Sequence, residues 1–174
     1  MLHRMTSYEA IDARKLMDLY QEGNIGNAAY FYPDMEKALA VRKCEGDFLE
    51  YLRTRFFSRE DSEYWILEEG GVWISALRLS RISDGLYYIE ALETHPAYRR
   101  QGHGAELLHG VVEELKRRGG PFRLCDTVKK TNIPSLRTHE KCGFAIVPGA
   151  AVDYLTGETE TDGRSYGMEY AFVP

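Results

Sequence analysis

The sequence predicts an α/β (α+β) domain in which helices flank a mixed, mostly antiparallel central sheet. Three observations carry that expectation. Helical periodicity dominates the first third of the chain. Short apolar runs parted by glycine-containing turns follow, and the rest alternates strand-like and helix-like segments to the end.

Residues 2–5 read as a first short strand. Residues 7–22 place Ile11, Leu16, Leu19 and Tyr20 near one helical face, and Gly23 ends the run. GNIGNAAYFYPD, rich in Gly, Asn and aromatics, is expected to be a loop. Residues 35–57 form a second helical region, broken near Gly46, with Leu39, Phe48, Leu49 and Leu52 inward. Strands at 64–68 and 72–81 flank Glu69-Gly70-Gly71, and Asp84-Gly85 marks the turn into a strand at 86–94. Helix 105–118 carries Leu107, Leu108, Val111, Val112 and Leu115 on one face, with Glu113–Arg117 and Glu114–Arg118 pairs outside. Gly119-Gly120-Pro121 stops it. A buried strand at 122–128 and a helix at 132–142 follow. Two last strands, 144–154 and 165–173, are joined by the polar loop TGETETDGR.

Residues 1–174 are long enough for one domain with a sizeable core, and no linker or repeat divides them. A formal charge of −5 argues against a nucleic-acid surface, which would carry a basic stripe. No apolar run approaches the ~20 residues needed to cross a bilayer, and no signal-peptide pattern opens the chain. Cys44, Cys125 and Cys142 lack C-x-x-C spacing and read as reduced thiols, which suits a cytoplasmic location. The five histidines have no metal-site spacing, so no metal is expected.

ETHPAYRRQGHGAELLHG, residues 93–110, combines a strand end, a basic glycine-rich turn and a helix start. Helix N-termini offer unpartnered N–H groups with partial positive charge, so this order makes an anion socket. Gly102 and Gly104 allow close backbone approach, and Arg99 and Arg100 add guanidinium forks suited to phosphate. A dinucleotide turn is excluded because Leu107 stands where the third glycine belongs. A Walker loop is excluded because no Gly-Lys pair occurs. An ordinary strand–helix turn stays open on this pattern alone.

The second informative segment is NIPSLRTHEKCGF, residues 132–144. Its physics is a short helix with Asn132 as cap, Pro134 in the first turn and Gly143 at the exit. Arg99-x-x-Gly102-x-Gly104-Ala105 resembles the acyl-CoA pyrophosphate loop of the GNAT N-acetyltransferases. Asn132, Ser135, Gly143 and Phe144 resemble that family's second signature, one helix and one strand further on. The resemblance covers the central and C-terminal portions well and the first 60 residues weakly. His139 stands where most members carry a tyrosine that protonates the departing thiolate. A histidine can serve as that acid, since its ordinary pKa lies near 6.5; a packed helix residue is the alternative.

The resemblance implies a GNAT-type fold and acetyl-CoA as cosubstrate. Its pantetheine would add as a strand beside residues 87–94, contacted by Leu92, Glu93 and Thr94. Main-chain N–H groups from Gln101 through Gly102, His103 and Gly104 to Ala105 would take the pyrophosphate, with the His103 side chain incidental. Asn132 and Ser135 would line the pantetheine channel. Lys129 and Lys130 are either 3′-phosphate ligands or a solvated turn. A general base must free the amine. Glu90 is the first candidate, because period two would put it on the face of Leu92, and Asp126 is the second. The acceptor is less legible. Tyr30, Phe31, Tyr32, Tyr64 and Trp65 either wall a pocket or are core. Asp153, Glu158, Glu160 and Asp162 either attract a cationic amine or solvate a hairpin. The expected activity is acetyl transfer to the primary amine of a small molecule. Alternatives are a protein N-terminus or an aminoglycoside as acceptor, or a non-catalytic acyl-CoA sensor. A homodimer is an expectation from the same resemblance.

Overall fold

The computed structural model describes residues 1–174. Strand β1 (Leu2–Met5) opens the chain, and Asp12 caps helix α1 (Ala13–Leu19) by accepting from the Lys15 N–H at 3.1 Å. Helix α2 (Gln21–Phe31) follows at once. The segment expected to be a loop is therefore mostly helix. Its small and polar side chains settle the matter: Asn24 and Ala28 are buried, and Ala28 packs with Ala40 and Cys44 of α3 (Lys37–Tyr51). Small residues let the two backbones come close, and that contact outweighs the weak propensities of Gly and Asn.

Glu36 caps α3 with both carboxylate oxygens, on the N–H groups of Ala38 and Leu39 at 3.0 Å each. Gly46 does not break it. A glycine costs a helix about 1 kcal/mol relative to alanine, less than the burial of Ala40 and Cys44 and the packing of Phe48 and Leu49 return. Leu39, expected inward, is exposed. The helix ends in a π turn (Leu52–Phe56), where the Phe57 N–H donates to the Leu52 carbonyl at 3.0 Å. Leu52 and Phe56 enter the core there.

Strands β2 (Ser62–Glu69), β3 (Val72–Ser83) and β4 (Leu86–Thr94) form the meander. Helix α4 (His103–Arg118), strand β5 (Phe122–Lys129), helix α5 (Ile133–Lys141) and strands β6 (Ala145–Val147) and β7 (Ser165–Phe172) complete the chain. The seven strands order β1-β2-β3-β4-β5-β7-β6, and only β4 and β5 run parallel. β6 is far shorter than the expected 144–154.

Each face of the sheet has its own core. On one, Leu107, Leu108, Val111, Val112 and Leu115 of α4 meet Leu77, Leu79, Ile89 and Leu124, as the helical pattern requires. On the other, Leu16 and Leu19 of α1 meet Leu52, Phe56, Tyr64 and Ile66. A polar clasp joins β1 and β2 to α4. Glu63 accepts two bonds from Arg118 at 2.8 and 2.9 Å, one from Arg4 at 2.8 Å and one from the Trp65 indole at 3.0 Å. Burial alone would raise the Glu63 carboxyl, but the two guanidiniums outweigh it and hold it below the usual range.

Glu63→Ala is expected to cost about 2–3 kcal/mol, below the full buried-pair figure because Arg4 is half exposed, and to lower Tm by roughly 5–10 °C. Because the folded value is depressed, the stabilisation is present above the unfolded carboxylate range and fades as pH falls through the folded value. Melting curves of wild type and variant should therefore converge in acid. A constant gap down to pH 2 would contradict the clasp.

Candidate active site

β4 and β5 pair through Leu86–Tyr88 against Arg123–Cys125 and no further. Beyond Tyr88 and Cys125 the facing edges run on to Thr94 and Lys129 without each other. At the closed end the fit is tight. The Arg123 N–H donates to the Gly85 carbonyl at 2.7 Å, and a Cβ on Gly85 would stand 2.9 Å from the Pro121 carbonyl oxygen. The divergence begins at a bulge in β4: Leu79 pairs with Ile89 and Arg78 with Ala91, leaving Glu90 as the extra residue. A bulge bends and twists its strand. The result is a V whose β4 arm offers unpaired backbone groups, the template an extended chain uses to add as a strand.

The bulge also resets which way β4 side chains point. Ile89 and Leu92 both pack on the α4 side of the sheet. Glu90 turns to the opposite face, where its Oε2 accepts from the Tyr51 hydroxyl at 2.7 Å. The expectation that Glu90 shares the face of Leu92 rested on unbroken alternation and is corrected here.

The mouth of the V meets the loop before α4. Arg100 (φ 63°) and Gly102 (φ 93°) are left-handed. The N–H groups from Arg100 to Ala105 find no acceptor within the protein, and Gly102 at the cap supplies no side chain to them. Such a run of N–H groups at the start of a sixteen-residue helix is an anion nest. Gly104 lies where β4, α4 and α5 converge: a Cβ there would stand 3.3 Å from Thr94 Oγ1 and 3.8 Å from Thr138 Cγ2. A groove of about 910 Å³ runs from Leu92, Glu93 and Thr94 past this loop to Asn132, Ser135 and Thr138 of α5.

The groove's charges differ from expectation. Arg99 is a tether: it binds Glu22 of α2, Glu93 at 3.2 Å and the Thr94 carbonyl at 3.1 Å. Arg100, Arg137 and Lys141 line the groove with no carboxylate in ion-pair range. Arg137 and Lys141 escaped the sequence reading; their i,i+4 spacing on the helix that follows Asn132 was the available signal. Lys129 and Lys130 lie outside the groove, Lys130 over the Tyr166 ring. His103 reaches the groove wall but is engaged by Glu106 at 3.2 Å. Gln101 contributes its N–H while its side chain donates to the Ala97 carbonyl at 3.3 Å. Asn132 caps α5, its Oδ1 accepting from the Ser135 N–H at 3.3 Å.

His139 is fully buried, edge-on to Phe144. Its Nδ1 lies 2.8 Å from the Ser135 carbonyl oxygen, an acceptor only, so Nδ1 carries a hydrogen. Its Nε2 lies 2.8 Å from Asp126 Oδ2, a close contact off the alignment of a full hydrogen bond. Two lone pairs at that separation would repel, so the pair retains a proton between ring and carboxylate. Burial would lower the imidazole, but Asp126 and the Ser135 carbonyl reverse this and leave it raised. Burial also raises Asp126, against the pull of His139. Asp126 follows Cys125, the last β5 residue paired with β4, and its carboxylate keeps an edge of 12% exposure. Glu90, in contrast, is held by three donors. Besides Tyr51, it accepts from Arg59 and Ser80 at 2.5 Å each.

The other candidate acceptor residues do not gather. Tyr30 and Phe31 stand on the surface of α2 at 79% and 61% exposure, Tyr32 bonds Asp47, and Tyr64 and Trp65 are core. Glu160 accepts from Ser165 at 2.7 and 2.8 Å, and Asp162 pairs with Arg164 at 2.6 Å, so the acidic loop uses part of its charge to hold its own hairpin.

Residues 26–144 match the family described as acetyltransferase (GNAT). Solved structures similar to the whole chain include the ribosomal-protein-S18-alanine N-acetyltransferase of Escherichia coli. It has a TM-score of 0.63 at 20% identity and covers 100% of this chain and 96% of its own. Another is the PaiA N-acetyltransferase of Thermoplasma acidophilum in complex with coenzyme A, with a TM-score of 0.65 at 19% identity and 99% of both chains covered. A Bacillus subtilis acetyltransferase in complex with CoA matches 73% of this chain and 84% of its own, at 0.55 and 20%. At these identities the likeness is one of fold. No curated protein matches the sequence significantly.

Arg137→Ala is expected to weaken acetyl-CoA binding by about 5–10-fold in calorimetry, with the loss shrinking as salt is raised. Tm should stay within about 2 °C, because Arg137 holds no other part of the fold. Unchanged affinity at low salt would remove Arg137 from the phosphate site.

Proposed function

This chain belongs to the acetyltransferase (GNAT) family and is an acyltransferase that uses acetyl-CoA, and on that premise we propose that it transfers the acetyl group to a primary amine of a small-molecule acceptor by direct attack. The observation that carries this reading is the β4 edge left unpaired beside the orphan N–H groups of Arg100–Ala105. An extended arm ending in a diphosphate suits both at once. That two of the similar structures were solved with CoA supports it.

The thioester supplies an activated acyl carbon; the chain supplies position and protons. Backbone groups of Leu92–Thr94 hold the arm in the V, and the loop N–H groups with Arg100, Arg137 and Lys141 offset the phosphates' charge. Asn132 and Ser135 line the same channel. The Asp126–His139 pair handles the proton. Its shared proton passes to the departing sulfur as the amine forms its new bond, and the amine's own proton restores the pair, so no net proton is left on the protein. Asp126 and the Ser135 carbonyl, which raise the imidazole against its burial, hold that proton on the pair. Glu90, which accepts from Tyr51, Arg59 and Ser80, is a positioning residue that ties the bulge to β3 and α3.

Thiol release from acetyl-CoA across an amine panel tests the reading: release above background with any small amine supports it, and none with any amine defeats it. His139→Gln is expected to lower kcat by about 10²-fold or more while acetyl-CoA affinity stays within about threefold. Since the imidazole is raised, the proton-holding form persists above the usual value near 6.5. Wild-type kcat should therefore fall only in a more alkaline limb, which the variant lacks. Unchanged turnover at saturating acetyl-CoA would remove His139 from the mechanism.

A further inference from the structure

Arg78 lies on β3, the neighbour of β4, in register with Ala91 beside the bulge. Its guanidinium packs against the rings of Phe48 and Tyr51 of α3, 5.2 and 5.5 Å from their centroids. Its Nε is buried without a hydrogen-bond partner, and no hydrogen bond or ion pair in the protein uses its other nitrogens. Its polar neighbours are engaged with one another. The hydroxyls of Tyr20 and Tyr64 bond each other at 3.0 Å, and Glu90 accepts from Arg59, Ser80 and Tyr51. Two guanidiniums, then, stand near one carboxylate: Arg59 pairs with it, and Arg78 has aromatic faces but no ion pair. The residue as a whole is only partly buried, with its Nε sealed from solvent. Desolvated guanidiniums are ordinarily paired, and a planar fork flanked by aromatic rings is pre-organised for bidentate contact with a carboxylate.

We propose that Arg78 binds the carboxylate of the acetyl acceptor, which therefore carries a free amine and a carboxylate on one small molecule, an amino acid in the broad sense. This rests on the acetyl-transfer reading above and names its substrate class. β3 stands about 4.8 Å from β4, one strand spacing, so a carboxylate on Arg78 leaves an amine a few bonds away near the arm of β4 that would carry the thioester. Simple amines and amino-acid amides fill the same space without meeting the charge.

The test is thiol release from acetyl-CoA with matched acceptors, each amino acid beside its amide and its decarboxylated amine, at several chain lengths. At the preferred length the free acid should exceed both twins in kcat/KM by at least about 10-fold, the worth of one charge-assisted pair. Arg78→Met should raise KM for the acid by a similar factor, leave kcat and acetyl-CoA affinity within about twofold, and erase the preference over the amide. Arg78→Lys should restore part of it. A wild-type enzyme that treats acids and amides alike overturns the proposal, as does a preference that survives in Arg78→Met. The wild-type comparison stands even if that variant fails to fold. If no amine releases thiol, the acetyl-transfer reading fails. Calorimetric binding of acids against amides to the acetyl-CoA-loaded protein then decides Arg78 by itself: tighter acids support it, equal affinities overturn it.

Discussion

The parting of β4 from β5 is the constraint on which the site depends. Two parallel strands of eight and nine residues would ordinarily pair along most of their length, but these share only three register positions. The extra residue Glu90 bends β4, and the bonds of Glu90 to Tyr51, Arg59 and Ser80 fix the bend from behind. The sheet thus gives up ladder hydrogen bonds in its own middle. Backbone groups there stay hungry by design of the register, and a ligand that resembles a strand can satisfy them.

The remaining parts take their places around that opening. Thr94 ends the free arm of β4 beside Gly104, so the anion nest sits at the mouth of the V. Helix α5 closes the other side, with Asn132 capping it, Arg137 and Lys141 facing the groove, and His139 turned inward onto Asp126. Arg99 ties β4 to α2, and Glu63 ties α4 to β1 and β2, which keeps both walls in register with the opening. The two faces of β4 then have separate work. The α4 side carries core and the groove we propose for the cosubstrate. The α3 side carries Glu90 and Arg78, and it is where we propose an acceptor is read.

Much of this was legible in the residues. Leu107, Leu108, Val111, Val112 and Leu115 mark α4 by period alone, and the order of turns and strands led to the mixed sheet. The loop and the Asn132 segment led to the groove because glycines, capping residues and spacing are local signals. What was missed is non-local. GNIGNAAYFYPD reads as a loop by propensity, yet Ala28 against Ala40 and Cys44 makes it a helix. A bulge leaves no mark in an alternating pattern, so the face of Glu90 could not be read. Arg78 sits in the apolar-looking run WISALRLS, where only the packing of Phe48 and Tyr51 reveals a cation without a partner.

Hydrogen exchange of individual backbone amides, with and without CoA, measures the central claim at the atoms that make it. The amides of Gln101–Ala105 and of Leu92, which faces away from β3, should exchange rapidly in the free protein and become protected together at saturating CoA. The paired stretch Leu86–Tyr88 should stay unchanged. Protection confined to other parts of the chain, or none along the β4 arm, would contradict the account of a strand-like cosubstrate seated in the opening between β4 and β5.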